Sequence, residues 1–211
     1  MTDFIEKIRL RGQAEEDQYF ARRDRELIEA IRRRQRLPLI QIRSGGQTGA
    51  DRGALEAVLA FASEPRRGIE VEAAGWCPRG RLAEDGTIDE RFPLRETPEA
   101  DFAQRTEWNV RDADATLILH RGPLSGGTAL TARCAERLGK PLLAVDLGSA
   151  AVPVEAIREW LQQHRVRVLN VAGPRESEAP GIADESRDLI LRLLRSVGID
   201  AAVIRRAVGG V

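Results

Sequence analysis

The chain has 211 residues, 42% of them hydrophobic and 31% charged, with 33 Lys plus Arg balanced by 33 Asp plus Glu. That length can bury one ordinary core without cross-links, and the balanced charge lacks the positive field by which a protein grips nucleic acid, so nucleic acid is not an expected partner. No apolar run reaches the length of a membrane span, the opening "MTDFIEKIRLRGQAEED" carries early acids and no apolar h-region, and Cys77 and Cys134 stand far apart; together these predict a cytoplasmic protein with free thiols.

In chain order, residues 13–36 contain good helix formers, with Phe20, Leu27, Ile28 and Ile31 spaced to lie along one side. This predicts an N-terminal amphipathic helical extension over residues 1–36, followed by a single domain over residues 37–211. The arginines that end the extension are balanced by acids within it, and cations suit a helix C-terminus, so packing or a subunit contact is expected there. From residue 37 onward, short β-branched or leucine-rich runs alternate with amphipathic helices. The runs cover 37–43, 68–75, 115–120, 141–147 and 166–173; the helices lie near 50–62, 100–111, 127–138, 153–164 and 181–197. Such alternation implies right-handed crossovers, and hence an α/β fold: a Rossmann-like, doubly wound, mostly parallel sheet with helices on both faces.

In such a sheet the segments after each strand share the carboxyl edge, where ligands bind. The first is "SGGQTGAD", 44–51. Gly45, Gly46 and Gly49 let backbone approach a ligand, and Gln47 and Thr48 offer hydrogen-bonding groups to a sugar or ring. Thr48 and Asp51 also have capping-box spacing, which would place a negative charge at the helix start and repel phosphate. A tight turn with a capped helix therefore stands beside the ligand reading. "GPLSGGTALT", 122–131, differs: Ser125, Gly126, Gly127 and Thr128 open a helix whose first turns carry no acid, with Arg121 just before it. A phosphate or other oxyanion is expected here. Between them, Arg79 and Arg81 of "WCPRGRLAEDG" are candidate anion clamps, with Trp76 as a stacking face, although a solvated arginine loop fits the same pattern. On the helix near 105–110, Arg105 and Asn109 share a face and Glu107 points elsewhere. The candidate acids or bases are Asp51, Glu107 and His120. Lys7 and Lys140 are the only lysines, and Ala50 follows the last glycine of the first loop, which excludes a Walker-type ATPase. Two Cys and two His are too sparse for a protein-built metal site.

The ordered set "RSGGQTGADRGAL", "GWCPRGRLAEDG", "PLRETP", "RTEWNVRDADATLIL", "GPLSGGTALT", "KPLLAVDL" and "LNVAGPRES" resembles the molybdenum carrier family, the circularly permuted YpsA-like branch of the SLOG superfamily, over about Ile40 to Leu194. The resemblance implies self-association into a homo-oligomer, dimer or tetramer. It also implies a nucleotide-derived or pterin-phosphate ligand, with molybdenum cofactor as one candidate. The function expected is a binding or carrier protein for a phosphorylated heterocycle. The alternative is a nucleotide-processing hydrolase, cleaving an N-glycosidic or phosphate bond, of the SLOG/lysine-decarboxylase-like type. Relatives of that enzymatic kind follow their glycine pair and Thr with a catalytic Glu within a few residues; Ala129, Leu130, Thr131 and Ala132 stand there instead.

Overall fold

A computed structural model describes residues 22–24, 39, 41–64, 71–149 and 154–208, with the side chains of the last helix described as far as Ser196. The chain divides into two compact units, Met1–Arg36 and Leu37–Val211. In the first, Arg22–Asp24 are helical, and the rest of the expected extension lies outside the described residues.

The second unit is built on five parallel strands: β1 (Gln41–Arg43), β2 (Glu72–Ala74), β7 (Ala115–His120), β8 (Leu142–Asp146) and β9 (Val168–Ala172), in the order β2-β1-β9-β7-β8. Register sets Ile42 between Ala73 and Leu169, and Leu117 between Val171 and Leu143. The interior position of β7 explains why Ala115–Leu119 are all buried, since a parallel strand covered on both faces has little polar side to present. Four of the helices follow these strands: α1 (Ala50–Ser63) after β1, α3 (Gly126–Arg137) after β7, α4 (Val154–Gln163) after β8 and α5 (Ile182–Val208) after β9. α2 (Phe102–Arg111) precedes β7.

Right-handed crossovers fix which helices share a face. The step from β1 to β2 runs one way along the sheet and the step from β7 to β8 runs the other, so α1 and α3 lie on opposite faces. By the same rule α4 joins α1, and α2 joins α3. Helix contacts agree with this, α1 and α4 packing on α5 and α2 on α3. The main core lies under α1, α4 and α5, with Leu117, Leu119, Leu169, Val171, Ile157, Leu161, Ile182 and Leu193 each at most 1% exposed. Gly53 allows the closest approach there, because a Cβ would sit 2.2 Å from the Ala183 carbonyl oxygen.

The segment between β2 and α2 carries two small pairings that the sequence pattern does not announce. β3 (Trp76–Cys77) pairs in parallel with β6 (Arg95–Glu96), and β4 (Leu82–Ala83) forms a hairpin with β5 (Gly86–Thr87). A second core of Leu55, Cys77, Ile88, Phe92 and Leu94 lies beneath this segment and ties it to α1.

Candidate functional site

Where adjacent parallel strands send their connections to opposite faces, a crevice opens at the carboxyl edge. This sheet has three such places, β7 and the edge strand β8 forming one; the other two flank β1 and β9. One lies between β1, which leads to α1, and β2, which leads toward α2. The other lies between β9, which leads to α5, and β7, which leads to α3. The first is filled by side chains of the intervening segment, and the second is bridged by Arg121, which reaches from the β7 loop to Pro180 and Glu185.

The filling is visible around the glycines of residues 44–49, all of which are buried. A Cβ on Gly45 would stand 1.7 Å from Arg105 Nη1, and one on Gly46, at φ +73°, would stand 2.5 Å from Leu94 Cδ1. Gly45 and Gly46 therefore admit protein side chains where ligand contact was expected of them. The Arg105 guanidinium reaches past Gly45 to donate to Asp51 Oδ2 at 2.9 Å, with Asp51 2% exposed. Burial pushes the Asp51 carboxyl above its ordinary range, and the charge and hydrogen bond of Arg105 oppose that shift.

The expected capping box does not form. Gly49 is the N-cap of α1 and no side chain caps it. Thr48 Oγ1 instead donates to Glu84 Oε1 and accepts from the Glu176 N–H at 3.3 Å. Gln47 Oε1 accepts from the Thr48 N–H at 3.1 Å and from the Glu84 N–H at 2.9 Å, while its Nε2 is buried without a partner among the described residues. The first loop thus holds the β4–β5 hairpin down.

The second crevice is built differently. Ser125 is the N-cap of α3, its hydroxyl makes no cap hydrogen bond, and no acid occupies the first turn. The first-turn N–H groups have no intrahelical acceptor and carry the positive end of the helix dipole. Ser125, Gly126 and Gly127 are exposed, and a Cβ on Gly127 would meet nothing within 4 Å. Thr128, in the same turn, is 4% exposed. Gly126, at φ +49°, sets the entry angle, and Glu178 Oε1 lies 3.8 Å from where its Cβ would be, so one carboxylate of the β9 loop flanks the opening.

Both the sheet and its loops have counterparts in known proteins. Residues 42–194 match the circularly permutated YpsA SLOG family. The chain belongs to that family. It is also similar to a crystal structure from Syntrophus aciditrophicus described as a putative molybdenum carrier protein, at 41% identity and a TM-score of 0.67, covering 74% of this chain and 95% of that one. No curated protein matches the sequence.

Several residues expected at the ligand edge of this SLOG domain are engaged elsewhere. Arg81, expected as an anion clamp, donates to the carbonyls of Ile88 at 3.0 Å, Asp89 at 2.9 Å, Phe92 at 3.1 Å and Leu94 at 3.2 Å. Its guanidinium is a framework for the 81–94 loop, which corrects the clamp reading. Arg79 is exposed in the turn before it. Arg121 donates to the Pro180 carbonyl at 3.0 Å and pairs with Glu185, binding the β7 loop to the start of α5. Trp76 stacks edge-on with Trp108 at 4.8 Å and donates to Asp112, so its ring is committed to α2.

The candidate acids and bases do not converge. Asp51 is held by Arg105, Glu107 pairs with Arg137 of α3 at 2.9 Å, and His120 Nδ1 lies 2.7 Å from the Gly122 carbonyl oxygen. Arg105 and Asn109 do act from one face of α2: Asn109 exchanges hydrogen bonds of 2.8 and 2.9 Å with the Trp76 backbone. Among the described residues no three metal-ligating side chains stand together. Glu84, which accepts from Thr48 and Ser177, was not expected from the sequence. The adjacent acids and glycine of "AEDG" were a usable signal, obscured by the arginines beside them.

Proposed function

We propose that this SLOG-family protein is a binding or carrier protein for a phosphorylated heterocycle, with the phosphate on the α3 mouth at Ser125, Gly126, Gly127 and Thr128. The observation that carries this reading is the exposed, acid-free first turn of α3 at the carboxyl edge of the sheet. The heterocycle would extend along the β9 loop. The solved relative's designation as a molybdenum carrier makes a pterin phosphate one candidate and a nucleotide another. The residues fit such a group in one respect: an uncapped helix start suits its phosphate. Among the described side chains no cluster would ligate a molybdenum centre, so any metal would come with the bound ligand. The homo-oligomer implied by the family resemblance belongs to the same reading. The β8 edge, where Leu142, Leu143 and Val145 are only partly buried, is a surface available for it.

The hydrolase alternative needs an acid and a base on one reacting bond, and the separate engagements of Asp51, Glu107 and His120 give it no support. Native mass spectrometry and metal analysis of purified protein, with titration by a panel of nucleoside monophosphates, test the carrier reading. Gly127→Asp should abolish binding of whichever phosphate binds. Retention of full affinity in that variant would remove the α3 mouth from the site.

A further inference from the structure

The first crevice is not merely packed shut; its outermost position is held by carboxylates. The tip of the β4–β5 hairpin is the adjacent pair Glu84 and Asp85. Glu84 accepts from Thr48 Oγ1, from Ser177 Oγ at 2.6 Å and from the Ser177 N–H at 3.3 Å. Asp85 receives both terminal nitrogens of Arg52, with Nη2 to Oδ1 at 3.0 Å. Two hydroxyls, a backbone N–H and a guanidinium form the kind of donor set that recognises phosphate oxygens. A cavity of about 390 Å³ adjoins them, lined by Thr48, Gly49, Arg52, Glu84, Glu176 and Ser177 among others.

A second observation points to a missing partner. Gln47 is 4% exposed, and its Oε1 is fixed by two backbone N–H donors, so the amide orientation is not in doubt. Its Nε2 is buried beside this contact with neither of its protons accepted among the described residues. A sealed, unsatisfied donor disfavours the closed arrangement.

The hairpin is also built to lift. Leu82 is 46% exposed, and Glu84, Asp85, Gly86 and Thr87 are exposed as well, so little apolar contact holds the tip. The base is firm: the Ile88 N–H donates to the Arg81 carbonyl at 2.7 Å, and the Arg81 guanidinium ties the following loop together. Gly80, at φ +80°, lies next to that anchor.

We infer that Glu84 and Asp85 are an internal phosphate mimic, occupying a diphosphate-binding notch formed by Thr48, Arg52 and Ser177 that the ligand fills when the hairpin tip lifts. Lifting frees the Arg52 guanidinium, the two hydroxyls and the Ser177 N–H together, and releases Gln47 Oε1 from the Glu84 N–H. The notch lies on the β1 and β9 loops and does not require a phosphate on α3. Its apparent affinity is lowered by the fraction of molecules that are closed.

Calorimetric titration with inorganic pyrophosphate tests this on the full chain. Glu84→Ala should bind about tenfold more tightly than the unaltered protein, because the closed fraction falls. Adding Ser177→Ala to Glu84→Ala should cancel the gain, and adding Gly127→Asp should leave it. Glu84→Gln, which keeps the side-chain length without the charge, should gain less than Glu84→Ala. No gain in Glu84→Ala overturns the proposal. So does a gain that survives Ser177→Ala, which would reflect loss of negative charge alone, or one that disappears with Gly127→Asp, which would place the pyrophosphate on α3. Failure of Gly127→Asp to affect nucleoside monophosphates would bear on the α3 mouth and not on the notch.

Discussion

Gly45 and Gly127 look alike in the sequence, each in a glycine pair before a helix, and the structure gives them opposite duties. At Gly45 the absent Cβ makes room for Arg105, so Gly45→Ala should break the Asp51–Arg105 contact and leave a carboxylate buried without its partner. Losing one member of such a pair costs about 3 kcal/mol or more, which urea unfolding would register. Arg105→Met isolates the same carboxyl and adds a pH signature. Asp51 already titrates above 3.8, its ordinary value, because of burial, and removing the opposing cation raises it further. A carboxyl with a raised folded-state pKa binds more protons folded than unfolded, so its stability contribution is lost as pH rises from that ordinary value through the folded one. The urea midpoint of Arg105→Met should therefore fall more steeply as pH rises above 3.8 than that of the unaltered chain. A parallel pH dependence would show that Asp51 is not the group involved. Of the site, the acid-free helix start could be read from sequence because it depends only on which residues follow the glycines. The engagement of Gly45 and Gly46 could not, because Arg105, Ile88 and Leu94 reach them from segments more than forty residues away.

The segment from β3 to β6 shows what short elements conceal. The five parallel strands and five helices of the domain over residues 37–211 follow from runs long enough to display a period, and all were expected within a few residues of where they lie; α5, which continues to Val208, is the exception. Pairings of two residues have no period to read, and strand order depends on contacts between distant segments. Arg81 is the clearest case. A guanidinium at φ +53° in a polar loop resembles a ligand clamp, yet it serves four carbonyls of its own loop. Hydrogen bonds to a charged group contribute roughly 1.5–3 kcal/mol, so Arg81→Met should destabilise the domain by about that amount, a partial replacement by water offsetting the rest. Hydrogen exchange should localise the loss: amides of residues 82–94 should exchange faster while those of β7 and β9 stay protected. Uniform acceleration across the sheet would mean that Arg81 supports the global fold and not this loop.

A phosphate on the proposed α3 mouth would tie the protein's stability to its ligand in a way that can be measured. Beside that mouth Arg121 links the β7 loop to the start of α5 by its bonds to Pro180 and Glu185. A phosphate on the α3 mouth would touch only the folded state, so it stabilises that state by mass action, about 2.7 kcal/mol at a free concentration one hundred times its Kd. Gly127→Asp separates this from general stability. Position 127 has a negative-side φ and open space, so the new side chain meets no obstruction. An acid in a helix's first turn also interacts favourably with the dipole, by about 0.3–1 kcal/mol. The variant should thus unfold at the same temperature as the unaltered protein or slightly higher when no ligand is added, and should lose the ligand-dependent rise. Differential scanning calorimetry with and without a saturating nucleoside phosphate reads both effects in one experiment. A rise of equal size in both proteins would place the bound phosphate away from α3.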